Sequence, residues 1–440
     1  MKQYKEYKDS GVKWIGEIPS HWKTMRAMNM VDYHQAGAWG NDELHNEDDR
    51  ICLRIADFDF ENCSFKKDLN FTKRNYTKNQ IEKLHLNKGD ILVEKSGGGD
   101  KMPVGRAVIY NLKLNKPLYA NFMEKLSLRN FANSHFYVFF LNALYVKGIV
   151  WKYIKQTTGL QNLDLTSLLN SELFILPPLP EQYSIACFLH TKASKIDRYI
   201  STAEKKIAAL DELKQVTIAD AVTHGINPNA PMKDSGSPWI GMVPEHWEIK
   251  TLRAYIRICS EKNHAEKQLL SVTREQGVIL RDVDSKEENH NFIPDDLSGY
   301  KLVRRGDFAI NKMKSWQGSY GVSNCEGIVS PAYYVCKLEF ENKDFFSKSI
   351  RCKAYVPFFN QYSKGIRVDQ WDLSPIALKN IPFFEPPISE QNEIVAYIDR
   401  KVAQIDKMRA SELAQIEKLK EYKQRLISDV VTGKVKVTND

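Results

Sequence analysis

Two long stretches of the chain repeat apolar side chains at the spacing of a helix that buries one seam. In residues 180–223, Leu189, Ile196, Ala203, Leu210 and Thr217 recur every seven positions beside Ala193, Ile200, Ile207 and Ala221. In residues 389–432, Ile398, Ile405, Leu419 and Leu426 do so beside Val402, Ile416 and Val430, with Arg409 and Glu412 as polar breaks. Beyond Pro180 neither stretch contains Pro or Gly, and they close at Gly225 and Gly433. Each predicts a single helix of about 44 residues, about 66 Å long at 1.5 Å per residue, well above the usual length in a compact domain. A seam that long needs an apolar partner, and the two seams match, which predicts an antiparallel coiled coil. The alternative is that each helix is covered separately by its own flanking module.

Between the helices the pattern changes to short apolar runs punctuated by Gly, Asn and Asp. Residues 51–56, 90–94 and 104–110 read as strands, as do 268–272, 307–310 and 332–338. Helical character is confined mainly to 134–153 and 344–362. Each module is therefore expected to be α+β with a curved antiparallel sheet.

The chain also repeats itself. Residues 9–22 return at 234–247 with 9 of 14 positions identical at an offset of 225. Residues 177–223 return at 386–432 with 17 of 47 identical at an offset of 209. Gly89-Asp90-Ile91-Leu92 faces Gly306-Asp307-Phe308-Ala309 in between. The order is arm, divergent module, long helix, then the same again, and the second module is about 16 residues shorter. The Gly-, Pro- and Asn-rich segment 224–238 marks the junction. Boundaries are expected at 1–179, 180–228, 229–386 and 387–440, with a pseudo-two-fold duplication.

Composition narrows the classes. The 440 residues are 42% hydrophobic and 27% charged with net charge +8, a globular chain with a mild basic excess that permits a polyanionic partner without requiring one. Seven cysteines with no C-x-x-C pair point to a reduced, cytoplasmic protein. The start of the chain lacks a secretory signal, and the apolar run 136–146 is too short to cross a membrane.

Candidate chemistry sits in the turns of both modules, and in each copy a cluster follows the Gly-Asp strand. In the first module these are Lys73, Arg74, Asn75 and Tyr76, then Lys95, Ser96, Gly97, Gly98 and Lys101 with Arg106. In the second they are Lys312, Lys314, Ser315, Trp316, Gln317 and Tyr320, with Arg367 and Gln370 in a turn that ends at Trp371. Arg and Lys donate to guanine edges, Asn and Gln pair with adenine edges, and Ser, Lys and glycine amides hold phosphates. Solvated basic turns would look the same residue by residue; the repetition in both copies favours DNA reading. No catalytic or metal constellation is evident. The run 96–101 lacks the spacing and ending of a phosphate loop, no H-E-x-x-H or G-x-S-x-G occurs, and Asp57, Asp59 and Glu61 read as surface charges.

The chain resembles the specificity subunits of type I restriction–modification systems. The likeness rests on the doubled Asp-Ser-Gly…Trp-Ile-Gly…Pro…His-Trp arm, the doubled Pro-Pro…Glu-Gln…Ile helix entrance, the paired Gly-Asp strands, and Thr157-Thr158-Gly159-Leu160-Gln161-Asn162 with its counterpart Lys364-Gly365-Ile366-Arg367. The resemblance implies a non-catalytic subunit with two target-recognition domains, each reading one half of a bipartite site in double-stranded DNA. It implies two long helices paired as a coiled coil, docking two modification subunits that carry S-adenosylmethionine. Restriction subunits that use ATP and Mg would join that core. It implies no cofactor in this chain and no membrane. The competing class is a coiled-coil scaffold whose modules bind proteins.

Overall fold

The computed structural model describes residues 2–157, 159–282, 293–365 and 371–437. They form two compact units, one of residues 1–203 with 414–440 and the other of residues 204–413. Each unit therefore holds an arm, a divergent module, part of one long helix and part of the other.

The long helices run Leu179–His224 and Ile388–Val431. Each opens on a Pro-Pro pair whose second proline carbonyl accepts the first backbone bond of the helix, from Gln182 N to Pro178 O at 3.1 Å and from Gln391 N to Pro387 O at 3.0 Å. Proline suits that position because the N–H it lacks would have had no partner there. Each helix ends where Gly225 (φ 74°) or Gly433 (φ 77°) takes the left-handed conformation that turns the chain out of a helix.

Within each unit the helices lie side by side with opposite polarity. In the unit of residues 204–413, Lys206 pairs with Glu412, Asp211 with Arg409 at 3.0 Å and Lys214 with Asp406 at 2.9 Å. Numbers rise along one helix as they fall along the other, so the pairing is antiparallel. In the other unit Asp197 pairs with Lys423 at 2.6 Å in the same sense. Of the seam residues, Leu189, Ala193, Ile196, Ile200, Ala203, Leu210, Ile398, Ile405, Ile416, Leu426 and Val430 are buried. The two polar breaks are explained by these contacts: Arg409 and Glu412 meet opposite charges on the central helix.

The arms fold as small two-stranded hairpins, Tyr7–Asp9 against Glu17–Pro19 and Met232–Asp234 against Met242–Pro244. Each delivers a fully buried tryptophan to the first turn of a long helix. Trp22 Nε1 donates to Glu181 at 2.7 Å, and His21 Nε2 lies 2.7 Å from the other carboxylate oxygen. Trp247 Nε1 donates to Glu390 at 3.2 Å, with His246 Nε2 at 2.6 Å. The end of the other helix packs on the same tryptophan. A side chain at Gly433 would collide with Pro19 and lie 2.9 Å from the Trp22 ring, whereas one at Gly225 would first meet the movable Glu390 carboxylate at 3.0 Å. Gly433→Ala is therefore expected to cost more than the roughly 1–2 kcal/mol of a left-handed alanine, and Gly225→Ala about that amount. Thermal unfolding of the two variants checks this; equal losses would remove the steric argument.

Each module is built on its own four-stranded sheet, and the two sheets have the same design. In the first, the order is Ala107–Ile109, Ile91–Glu94, Met123–Leu128, Val31–Ala36, antiparallel throughout. In the second it is Tyr320–Val322, Phe308–Ile310, Tyr334–Leu338, Ile256–Cys259, again antiparallel. The Gly-Asp pairs build the turn into the inner strand. Gly89 (φ 97°) and Gly306 (φ 88°) are left-handed, and the Asp90 and Asp307 carboxylates accept the N–H of Asn87 and Arg304, each at 2.8 Å. Two contacts depart from the antiparallel expectation among the described residues: Leu118–Tyr119 runs parallel to Cys52–Leu53, and Leu269 bridges Ile328 in parallel. The segment expected to be helical over 134–153 is Ser134–Val146 followed by a 3₁₀ turn beyond Gly148, and that over 344–362 divides into Lys343–Arg351 and Val356–Tyr362, the second opening on Pro357. Among the described residues no helix is long and apolar enough to cross a membrane.

Candidate nucleic-acid interface

The turn that leaves the inner strand is tied in both modules to a hairpin from the end of the module. In the first, Ser96–Gly97 pairs with Leu160–Leu163, which pairs with Ile154–Thr157. Leu163 N donates to Lys95 O at 2.8 Å, and Ser96 Oγ donates to Asn162 at 2.6 Å. In the second, Ser363–Lys364 pairs with Asp372–Leu373, and Leu373 N donates to Lys312 O at 3.2 Å. The same backbone bond thus recurs at Lys95 and Lys312, which the Gly-Asp correspondence aligns. It joins the Lys95–Lys101 turn to the Thr-Gly motif, and the Lys312–Tyr320 turn to its counterpart, giving each module one composite face.

The two faces differ in side chains. On the first, Gly97 (φ 112°) and Gly98 (φ 61°) are left-handed, and a side chain at Gly98 would lie 2.9 Å from Met102 O. The turn is held close to the backbone behind it, with Lys101 and Met102 exposed at its tip. Lys95 is anchored on Glu124 at 3.0 Å. On the second, Trp316 and Trp371 pack with ring centroids 5.4 Å apart. Trp316 Nε1 is taken by Met313 O at 3.2 Å, so the ring offers a π surface and no free donor. Met313 and Lys314 are exposed beside it, and Ser315 is buried, bonded to Lys312 O at 3.1 Å. Lys312 pairs with Asp372 at 2.9 Å, which raises its pKa and keeps the ammonium charged. On the first hairpin Lys155 does the converse to Asp164, holding its carboxyl down to about 2 chiefly through their hydrogen bond.

The remaining sequence candidates lie elsewhere. Lys73, Arg74 and Asn75 sit on the strand Thr72–Asn75, paired with Asp49–Leu53, and turn toward the loop before it. Arg74 donates to Trp39 O and Gly40 O, each at 3.3 Å, and lies 4.8 Å over the Trp39 ring. Lys73 pairs with Glu43 at 3.4 Å, and Asn75 donates to Asp49 at 2.8 Å. Tyr76 is 1% exposed, its hydroxyl on Ala38 O. Arg106 makes two bonds to Glu94, at 2.8 and 2.9 Å, and stacks 3.6 Å over Phe60. Tyr320 is buried against Phe359 at 3.8 Å. Gln317 is half-buried beside Trp316, while Arg367 and Gln370 lie outside the described residues. What the sequence does not signal is Asp372, which completes the second face, and Trp39, exposed beside Arg74. Neither falls in a repeated motif.

Among the described residues no three His, Cys, Asp or Glu side chains converge as a metal site. All seven cysteines are unpaired.

Comparison with known proteins finds relatives of this architecture. Residues 19–211 match the type I restriction modification DNA specificity domain. The putative type I restriction enzyme MjaX specificity subunit of Methanocaldococcus jannaschii is 25% identical over 98% of this chain and 98% of its own. The MjaVIII specificity subunit of the same organism is 25% identical over 74% of this chain and 76% of its own. Among solved structures, the HsdS subunit from Thermoanaerobacter tengcongensis shares the fold with a TM-score of 0.52 at 13% identity, covering 95% of this chain and 98% of that one. A chain from a study of complex assembly and conformational transition of the type I R-M system does so with a TM-score of 0.64 at 12% identity, covering 94% and 98%. With the doubled arms, doubled helices and doubled sheets, these matches make the chain similar, over nearly its whole length, to the specificity subunits of type I restriction–modification systems.

Proposed function

We propose that this chain directs a type I restriction–modification assembly to DNA, each module reading one half of a bipartite, asymmetric site and the paired helices setting the gap. The observation that carries the reading is the doubled composite face: one backbone design, tied by the same hydrogen bond in both modules, presenting glycines and an exposed lysine in one and paired tryptophans with a lysine in the other. A conserved scaffold with divergent tips is what two half-sites of different sequence require. The chain itself holds no catalytic role in this reading. S-adenosylmethionine, ATP and Mg belong to two modification subunits and to restriction subunits docked on it.

Base-resolution mapping of methylation in a host carrying the assembly is expected to find one two-part sequence with an unread gap. Inserting one heptad into both long helices is expected to change the preferred gap, since helix length acts as the ruler. An unchanged gap would reject the ruler, and absence of any two-part site would reject the reading. A scaffold that binds proteins would show no change in fluorescence anisotropy with random duplex at low salt; the expected result is binding that weakens steeply as salt rises.

A further inference from the structure

The two copies treat one position on the long helices differently. On the C-terminal helix, Lys423 is matched by Lys214 on the central helix at the repeat offset of 209, and Asp197 is matched by Asp406. Both pairs form. Lys423 Nζ bonds both Asp197 oxygens at 2.6 and 2.8 Å and gives its third proton to Glu61 O at 2.8 Å. An ammonium has three donors, so Lys423 is satisfied. Lys214 Nζ bonds both Asp406 oxygens at 2.9 and 3.0 Å, and among the described residues no third acceptor meets it. The exposure follows: the Lys423 and Asp197 side chains are 10% and 22% exposed, those of Lys214 and Asp406 30% and 48%.

The acceptor that Lys423 finds belongs to a hairpin, Phe58–Asp59 against Ser64–Phe65, with Glu61 at its tip. Asn142 Nδ2 holds that tip by Cys63 Sγ at 3.3 Å, and Ile109 N by Cys63 O at 3.0 Å. The counterpart is identifiable because Asn142 stands at the repeat offset from Arg351. The helices that carry them are capped by the equivalent Asn133 and Asn342. Arg351 grips the carbonyls of Arg274 and Glu275 at 3.0 and 2.8 Å, in a short turn between Leu270–Thr273 and Gly277–Leu280. Among the described residues that turn makes no hydrogen bond or ion pair with the long helix. Where the first module places its hairpin tip, the second leaves a cleft of about 1230 Å³ between Lys214, Gln215 and Ile218 on one side and Arg274, Gln276 and Val356 on the other.

We propose that this cleft takes a turn of a partner polypeptide, a loop of a modification subunit that offers a main-chain carbonyl to Lys214 as Glu61 does to Lys423. The partner's identity rests on the function proposed above; the cleft and its chemistry do not. A protein occupant is favoured over DNA because the first copy fills the matching place with its own main chain, and because three of the lining cations are already engaged: Lys214 by Asp406, Lys348 by Asp399 at 2.6 Å, and Arg351 by main-chain carbonyls. Of the other charged residues in the lining, Arg274 and Lys353 stand with Asp211, Glu212 and Glu275, so the cleft has no large surplus of free positive charge for a phosphate backbone. The docking sites for the two modification subunits would then differ, one sealed by the chain's own hairpin and the other completed only by the partner.

The test places the photo-crosslinking residue p-benzoylphenylalanine at Gln215, or at its repeat mate Gln424, in the chain co-expressed with the modification subunit and bound to its DNA. Gln215 is expected to cross-link to a single loop of the modification subunit, and Gln424 mainly to residues 58–65 of its own chain. Lys214→Ala is expected to weaken association with the modification subunit about tenfold with unchanged thermal unfolding, and Lys214→Arg to restore it. Cross-linking of Gln215 to DNA, to its own chain, or to nothing in an assembly that still methylates its site would overturn the proposal while leaving the specificity reading intact. Failure of the unmodified chain to form any sequence-specific assembly would instead overturn the reading, and the partner assignment with it.

Discussion

Trp22→Ala is expected to remove about 3–5 kcal/mol from the unit that contains it, the range for deleting a large buried aromatic. For a unit of some 200 residues that corresponds to a fall in unfolding midpoint on the order of 10 °C. The indole is fully buried and joins three parts of the unit. It donates to Glu181 at the start of the central helix, contacts Tyr4 edge-on at 5.8 Å, and forms the floor under Gly433. Removing it leaves a cavity and an arm with no anchor. Trp22→Phe retains most of the packing and loses only the N–H; Glu181 keeps His21 and Tyr4 as partners, so about 1 kcal/mol is expected. Trp247→Ala should act likewise on the other unit. Calorimetry with amide hydrogen exchange separates the two: Trp22→Ala should deprotect the strand Glu17–Pro19 and leave Met242–Pro244 protected. Uniform deprotection of both would show that the arms are not independent anchors.

These tryptophans also show why some of the architecture is legible in sequence. The helices announce themselves because burial along 40 residues needs a regular stripe, and Pro and Gly can only stand at their ends; the bounds observed lie within a residue of those expected. The arms are legible because a buried Trp, a left-handed Gly and a helix-capping Glu tolerate few replacements, so the duplication survives there. The modules are harder. Sheet order depends on contacts between residues far apart in sequence, and the parallel pair Cys52–Leu53 with Leu118–Tyr119 leaves no periodic trace. The candidate site was half legible. Turn composition points to cations but says nothing of whether each is already occupied. Arg74 and Arg106 carry the chemistry of base reading, yet the carbonyls of the 38–46 loop and the Glu94 carboxylate hold them. Such a partner can be known only once the fold brings it near.

On the second face the structure separates two kinds of contact that the sequence lumps together, and substitution should separate them too. Trp316 has its N–H bound to Met313 O and its ring against Trp371, so any contribution to DNA comes from apolar or stacking contact. Trp316→Ala is expected to weaken binding 10- to 100-fold, or about 1.4–2.7 kcal/mol, and to flatten base preference in the second half-site only. Trp316→Phe should recover most of it. Lys314 is exposed with no side-chain partner among the described residues, so its ammonium is free to take a phosphate. Lys314→Ala should weaken all sequences alike and reduce the slope of log affinity against log salt by about 0.9, leaving base preference unchanged. Lys312→Ala should do less to the salt slope, because that ammonium already faces Asp372. Base-substitution scans at two salt concentrations read all three variants. Loss of preference at both half-sites with Trp316→Ala, or a changed preference with an unchanged salt slope for Lys314→Ala, would refute the division of roles on this face.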